Sequence, residues 1–537
     1  MPDFLFRTED ITNEELLSFF VASEHDRSIV DRIKGRNPII LVGSRGVGKS
    51  FLLRVAQAEL ARDFESDRVL PVYLSFNRSA LVGLVGEDRF QEWMMAKICS
   101  GILRELGSKG FVLAAKSKNQ LFTGATIRDS LLAKSKLEII VEKLEDAWRG
   151  QSANIDLSAV PDVDEFRDGL QEVCEQFGIR RINVFIDEAA HVLLPKQQRA
   201  FFTLFRDLRS AYLTCNAAVY PGTTSYGEVF EPTHDATFIA LTRDVLSKDY
   251  LHTMRDIVLR QADTSLIQRI GQNPTNFAVL AYAATGNPRV LLKTVSRAPR
   301  MASADVGEVF RSYYRTEIWS EHSSLTERYV GLRELIDWGR NFLESSVLPE
   351  LNKKNGQKLV ADRGTSAFFW THRDIPEAAK EALRILEYGG LIHEHSTGIK
   401  ATRSEIGTRY LVNLGCLFAL EKNTVQSSPE IWGNLDVRKM IEFGQSHSVF
   451  KDLVAFGIQL NEETIREGLA SQLCKSIDVL EISDWQKTAL KEIGIVTIKD
   501  ILLATEFKLR EAYYVGEVRS RRIRNVAVAA VLEYLAG

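Results

Sequence analysis

Cysteine is scarce in this chain: 5 residues in 537. Cys99, Cys174, Cys215, Cys416 and Cys474 lie far apart, are odd in number and form no C-x-x-C pair. That pattern excludes a disulfide framework and a cysteine zinc site, and it suits free thiols in a reducing compartment. No apolar run approaches the roughly 18 residues that a membrane span requires. The N-terminal MPDFLFRTEDITNEE carries acids where a signal peptide needs basic and apolar residues. A cytoplasmic protein with no membrane partner is therefore expected. Net charge is also lacking: 68 Lys and Arg stand against 71 Asp and Glu, a formal balance of -3. The molecule as a whole has no pull on nucleic acid, so any basic surface is local. There is no internal repeat and no low-complexity tract. What is there is an ordinary globular composition, 45% hydrophobic and 26% charged, on a chain long enough for about three or four domains.

Glycine and phosphate-binding residue types cluster at one place. IILVGSRGVGKSFLLRV, residues 39–55, sets three glycines, an arginine, a lysine and a serine between two apolar runs. The spacing Gly43-Ser44-Arg45-Gly46-Val47-Gly48-Lys49-Ser50 fits G-x-x-x-x-G-K-[ST]. A β-rich run, Pro38 to Val42, precedes it, and a helical pattern from Phe51 to Phe64 follows. Glycines let successive backbone N–H groups turn toward one point without Cβ clashes. The helix adds its positive N-terminal end there. Lys49 can reach outer phosphates and the Ser50 hydroxyl can ligate Mg²⁺. Gly43 through Phe51 are thus the candidate binding residues for a nucleoside triphosphate, taken as ATP.

Further β-rich runs occur at 69–76, at RINVFIDEAA (181–190), at CNAAVYPGTTS (215–225) and at 236–242. Between the first two lies a long, mostly helical stretch, 77–175. Strands alternating with helices predict a parallel sheet with crossover helices. The apolar strand that ends in Asp187-Glu188 looks like a Walker B element. Asp187 would hold Mg²⁺ and Glu188 would polarise the attacking water; alone, such a strand is equally one that ends in solvated acids. Thr224, after the next strand, could bring a hydroxyl near the γ-phosphate as a sensor, or cap an ordinary turn. In ATGNPRVLL, Arg289 opens a helix after a Gly-Asn-Pro break and could reach the nucleotide from a helical lid.

Loop, DE strand, threonine strand and G-x-P-R lid together resemble the AAA+ branch of P-loop ATPases. Within it, the pattern is similar to origin-recognition-complex-like initiators, and to the STAND signalling ATPases that share the G-x-P lid. The resemblance covers about 20–300. It implies ATP hydrolysis to ADP and phosphate, with Glu188, Thr224 and Arg289 in catalytic or sensing roles and Ser50 and Asp187 at the metal. One departure stands out: AAA+ assemblies usually carry an arginine finger after the sensor strand, and no arginine lies between Asn216 and Thr242. The gap favours a switch-like ATPase, or a finger from elsewhere; whether a second copy or a partner protein takes part stays open.

In the C-terminal half, a helix from Pro376 stops at Gly389-Gly390. A strand, a Ser-Thr-Gly turn and a second strand follow, which resembles a winged helix. Its wing would carry Lys400 and Arg403 for duplex DNA; a wing used for protein contacts is the equal alternative. LKEIGIVTIKDILLATEFKLREAYYVGEVRSRRIRN, residues 490–525, resembles the helix-hairpin-helix C-terminal domain of the RNA polymerase α subunit. Gly516, Arg519, Arg521 and Arg522 would meet a DNA backbone there, although Val518 replaces the usual second hairpin glycine. The expected architecture is an α/β P-loop core of AAA+ type over 1–250 and a helical lid over 251–310. A winged helix (311–425), a helical linker (426–480) and an all-α helix-hairpin-helix unit (481–537) follow. The expected role is a nucleotide-controlled ATPase acting on DNA. The alternative is a STAND-like signalling or defence ATPase whose C-terminal domains bind proteins.

Overall fold

A computed structural model describes residues 4–76, 89–111, 135–146, 155–189, 195–221, 226–227, 229–328, 332–360, 364–402, 404–455, 473–480 and 482–536. Five strands form the first sheet: β1 (Ile39–Val42), β2 (Val69–Ser75), β3 (Arg181–Asp187), β4 (Leu213–Val219) and β5 (Thr237–Ala240). Their order is β2-β3-β4-β1-β5 and every pairing is parallel. The apolar runs are extended because their β-branched residues pack on both faces of a covered sheet. Alternate residues serve opposite layers. Ile40, Val184, Ile186 and Ala217 join the core under the helices Arg89–Ser108, Lys136–Asp146, Val163–Phe177 and Pro195–Asp207. Ile39, Leu41, Phe185 and Ala218 join the core under Glu24–Ile33 and Lys49–Arg62.

Two asparagines break the apolar pattern on purpose. Asn216, fully buried, donates from Nδ2 to the Ile33 carbonyl (3.1 Å) and to Asn183 Oδ1 (2.7 Å), and its Oδ1 accepts from the Ile39 N–H (3.0 Å). The pair pins β3 and β4 to the end of helix Glu24–Ile33 and to the start of β1, which fixes where the glycine loop begins.

Four helices follow: Tyr250–Leu259, Thr264–Gln272, Pro274–Ala283 and Pro288–Arg297. Their apolar faces do not form a separate lid core. One continuous cluster runs from Val245 and Tyr250 through these helices to Phe369, Leu386 and Phe450 of the second sheet's unit. That sheet has the order β7-β8-β6-β9, from β6 (Phe368–His372), β7 (Ile392–Lys400), β8 (Ile406–Val412) and β9 (Met440–Phe443). A helix, Glu377–Tyr388, stops at Gly389-Gly390 and leads into the antiparallel pair β7 and β8, so the expected helix-then-hairpin is present.

Two details differ from the sequence reading. The Ser396-Thr397-Gly398 stretch is not the hairpin turn. It lies within β7, where the register shifts between Glu394 and Ile399, and the pair is closed beyond Lys400, where the Ala401 N–H donates to the Glu405 carbonyl at 2.9 Å. Gly398, at φ +67, supplies the left-handed residue that a bulge needs. The stretch from 426, read as polar and helical, contributes β9, which pairs in parallel with β6. The last unit is all-α, with helices Asp484–Glu492, Ile498–Leu503, Glu506–Arg510 and Glu517–Ala536 around a core that runs from Ile477 to Ala527. All five cysteines are free, and only Cys474 is exposed. No helix among the described residues is long and apolar enough to cross a membrane.

Replacing Asn216 by alanine leaves the buried Ile39 N–H and Asn183 Oδ1 without their partner, while the Ile33 carbonyl keeps Asn183 Nδ2 at 3.1 Å. Each such orphan costs about 1–3 kcal/mol, so the urea midpoint of the core should fall well below that of the parent. An unchanged midpoint would show that the network carries no stability.

Candidate functional site

The site forms just past the carboxyl ends of β1, β3 and β4, where the parallel sheet opens. After Val42 the chain turns at Gly43, where a Cβ would lie 2.8 Å from Val47 Cγ2. Gly46 and Gly48 have φ of +86° and +107°, which L side chains rarely adopt. A Cβ on Gly46 would also lie 2.8 Å from Asn287 Oδ1 and 2.9 Å from Arg289 Cβ. The helix Pro288–Arg297 thus rests directly on the loop. Asn287 caps that helix at the Val290 N–H and donates to the Arg45 carbonyl at 2.8 Å. Arg289 donates from its backbone to the Gly46 carbonyl (3.4 Å) and from Nε to the Phe6 carbonyl (3.1 Å). Burial holds its pKa below the usual arginine range.

Lys49 is buried. Its ammonium donates to the carbonyls of Gly43 (2.5 Å) and Ser44 (3.1 Å) and lies 4.3 Å from the centre of the Tyr220 ring. Burial pushes its pKa down to about 7. Ser44 is also buried, and its hydroxyl has no hydrogen-bond partner. Asp187 closes β3 and is oriented by the Tyr73 hydroxyl of β2, 2.6 Å from Oδ2. Glu188 follows in the left-handed region at φ +51, a strained setting for a non-glycine residue. Burial, then the Asp187 and Glu9 carboxylates, push its pKa up to about 7.

Arg243, just past β5, joins the separate parts. Its Nη1 donates to the Val47 carbonyl (2.8 Å) and the Gly286 carbonyl (3.4 Å), and Nη2 pairs with Asp26 at 2.8 Å. Both side chains are buried, at 9% and 4% exposure. Loop, lid and the N-terminal helix Glu24–Ile33 thus meet at one guanidinium.

These groups line a cavity of about 420 Å³. Arg45, Lys49 and Arg289 stand toward the loop, and Phe6, Phe20, Val21, Ile257 and Leu292 add apolar wall. Three observations fit a nucleoside triphosphate with Mg²⁺. Ser44 offers a buried hydroxyl without a partner, Gly46 and Gly48 form a cradle that side chains would fill, and Ser50 and Asp187 offer hard oxygens on one cavity wall.

The sequence-derived residues divide clearly. Arg45, Gly46, Gly48, Lys49, Ser50, Phe51, Asp187, Glu188 and Arg289 line this cavity. Gly43 and Ser44 shape the loop beneath it. Val47 turns its side chain into the core and serves the site through its carbonyl. Thr224 and Arg403 lie outside the described residues. Lys400 is exposed at the end of β7. At the start of the helix Glu517–Ala536, Arg519 donates to the Tyr514 carbonyl and stacks on Trp485, and Arg521 pairs with Glu506 and Glu517. Arg522 is exposed without an ion pair among the described residues, and Gly516 is open on its Cα side. Sequence reading missed Arg243, Tyr73, Tyr220, Asn287 and the wall built by residues 5–11 and 19–21. Only Asn287 had a local signal, as the cap before Pro288.

The parallel order with β1 between β4 and β5, the glycine loop and the acid-tipped β3 define a P-loop nucleotide-binding α/β protein of AAA+ type. A family model described as ORC-CDC6-like matches residues 2–270, half of the chain, and the chain belongs to that family. No curated protein matches it. Among solved structures it is similar to the Aeropyrum pernix ORC2 protein (ADPNP–ADP complexes), at 11% identity and TM-score 0.34, over 78% of this chain and 97% of that one. It is also similar to the Aeropyrum pernix ORC1 protein in complex with DNA, at 13% identity and TM-score 0.30, over 80% and 94%. The Walker-type ATPase of Pyrococcus abyssi gives 16% identity and TM-score 0.30, over 79% and 98%. The fold assignment rests on the sheet and the loop, not on likenesses of this size.

Replacing Arg243 by alanine would leave Asp26 buried and uncompensated, a loss of about 3–5 kcal/mol. The Val47 carbonyl would also lose its donor. The variant should melt earlier and show faster amide exchange through residues 43–50; parent-like exchange there would show that Arg243 does not brace the loop.

Proposed function

We propose that the chain binds and hydrolyses ATP and works as a nucleotide-controlled switch on DNA. The observation that carries this reading is convergence: the glycine cradle, Lys49, Arg289 and the Asp187-Glu188 pair face one cavity although they lie up to 243 residues apart. In this reading the backbone N–H groups of 43–50 and the Lys49 ammonium bind the phosphates. Ser50 and Asp187 would hold Mg²⁺, which neutralises charge on the phosphate oxygens. Glu188 accepts a proton from the attacking water as its oxygen bonds to the terminal phosphorus and ADP leaves. Its raised pKa suits a general base near neutrality. Arg289 reports the outer phosphates to the lid, and Thr224 is the sensor hydroxyl of this reading. The units are taken as core 1–250, lid 251–310, winged helix 311–425, linker 426–480 and helix-hairpin-helix 481–537.

Lys49→Ala should abolish tight ATP binding, measured by titration calorimetry; near-parent affinity would sink the P-loop role. Glu188→Gln should still bind ATP while turnover falls about 10²–10⁴-fold. A parent-like rate in that variant would reduce Glu188 to a solvated acid.

The DNA arm rests on Lys400 and Arg403 of the wing and on Gly516, Arg519, Arg521 and Arg522 of the tail. Surface ion pairs such as Arg521 with Glu517 are weak, so Arg521 can exchange a carboxylate for a phosphate. The protein-binding alternative also has an observation behind it: Phe507, Tyr513 and Val518 are 77%, 72% and 81% exposed beside these arginines. Fluorescence anisotropy on two unrelated duplexes separates the two. Replacing Arg519 and Arg522 by alanine should weaken both equally and lower the salt slope of log affinity by roughly 0.9 per lost contact. An unchanged slope would leave the tail as a protein-docking unit.

A further inference from the structure

The outer-phosphate end of the cavity, marked by Lys49, has a neighbour that the nucleotide machinery does not require. Tyr220, at the tip of β4, lies with its ring against the Lys49 ammonium. Behind it stands Tyr388, the last residue of helix Glu377–Tyr388, edge-on with ring centres 5.0 Å apart and planes at 69°. Two residues on, Gly390 sits so close to the loop that a Cβ there would lie 3.7 Å from Ser44 Oγ and 3.9 Å from Ser44 Cβ. A third touch holds the same units together: Thr285, in the lid, accepts from the Leu414 N–H at 2.8 Å. Asn413, beside Leu414, in turn donates to the Gly390 carbonyl at 3.2 Å. The C-terminal sheet's unit is therefore seated on loop and lid at once.

We infer that Tyr388 and the Gly389-Gly390 turn form an internal cap that holds Tyr220 on Lys49 and keeps the phosphate end closed until ATP displaces it. The inference rests on the ATP-binding reading above and adds regulation to it. Three facts carry it. Lys49 is satisfied by two carbonyls of its own loop and by the Tyr220 ring face, so it must let go of them to meet phosphates. The Ser44 hydroxyl is buried without a partner, sealed under Gly390. Tyr388 and Gly390 sit at one helix end, which meets the Tyr220 ring and Ser44 at once. A contact that opposes ligand entry lowers affinity by the fraction of molecules in which it is open. Lid and C-terminal unit share one core, so a displaced turn strains the packing behind both.

The test is a reversible lock. Ser44→Cys with Gly390→Cys places two Cβ atoms at about the 3.5–4.5 Å separation that a disulfide needs. Cys474→Ser in the background removes the exposed native thiol. Oxidation should form the bond, and the oxidised protein should bind ATP at least about tenfold more weakly than the same protein reduced, with affinity restored by dithiothreitol. In a second arm, Tyr388→Ala should bind ATP roughly tenfold more tightly than the parent, the scale of one desolvated ring contact, and Tyr388→Phe, which keeps the ring against Tyr220, should bind less tightly than Tyr388→Ala. A bond that fails to form, equal affinity before and after reduction, or a Tyr388→Ala variant that binds no better than the parent would each overturn the cap. A parent that binds no ATP would overturn the nucleotide reading and the cap with it. A parent that binds, with affinity indifferent to the lock, would overturn the cap alone.

Discussion

A single buried guanidinium sets the geometry of this protein's site. Arg243 satisfies the Val47 carbonyl within the glycine loop, the Gly286 carbonyl at the lid turn and the Asp26 carboxylate of the N-terminal helix. A charge taken out of water must be paired and hydrogen-bonded, or the fold loses several kcal/mol. That constraint allows little freedom: if any of the three segments moves, a charge or a carbonyl is left unpaired. Gly286, at φ +77, lets the lid chain pass so close that a Cβ would lie 2.8 Å from the Arg243 carbonyl. The loop's own conformation, with Gly46 and Gly48 in the left-handed region, is therefore braced from outside as well as permitted from within.

From this anchor the architecture divides into two bodies that meet at the cavity. One is the five-stranded parallel sheet with its helices, which holds the loop, Asp187 and Glu188 rigid through close-packed layers and the Asn183–Asn216 pair. The other is the lid together with the second sheet, joined by a continuous apolar core. Gly415 illustrates how tightly that second body is built, since a Cβ there would collide with the Tyr314 ring. A nucleotide held between loop and lid would touch both bodies, and what changes its phosphates would change their fit. Arg289 on the lid, and Tyr388 and Gly390 beyond it, are the places where the second body meets the phosphate end.

The strands of the first sheet were legible in the sequence to within a few residues, because short β-rich runs between helical stretches leave few other solutions. The glycine loop was legible because its residue types have few other uses together at that spacing. Arg243 and Tyr220 were not, for a physical reason: their partners are brought near only by the fold, and Asp26 lies 217 residues from Arg243. The Ser-Thr-Gly stretch in β7 misled because a left-handed glycine serves a bulge as well as a turn, and nothing local separates the two. The tail arginines read as free charge, yet Arg521 is shared between two glutamates and Arg519 lies over an indole, pairings that form only once the short helices pack.

Hydrogen–deuterium exchange on the full chain, with and without MgATP, tests the central claim most directly, since the claim is that one nucleotide joins the two bodies at the glycine loop. The account predicts slower exchange on MgATP addition through residues 43–50 and through 285–292, with faster exchange at 388–391 as the turn lifts from Ser44. Unchanged exchange at 43–50 and 285–292, with ATP at saturating concentration, would contradict it.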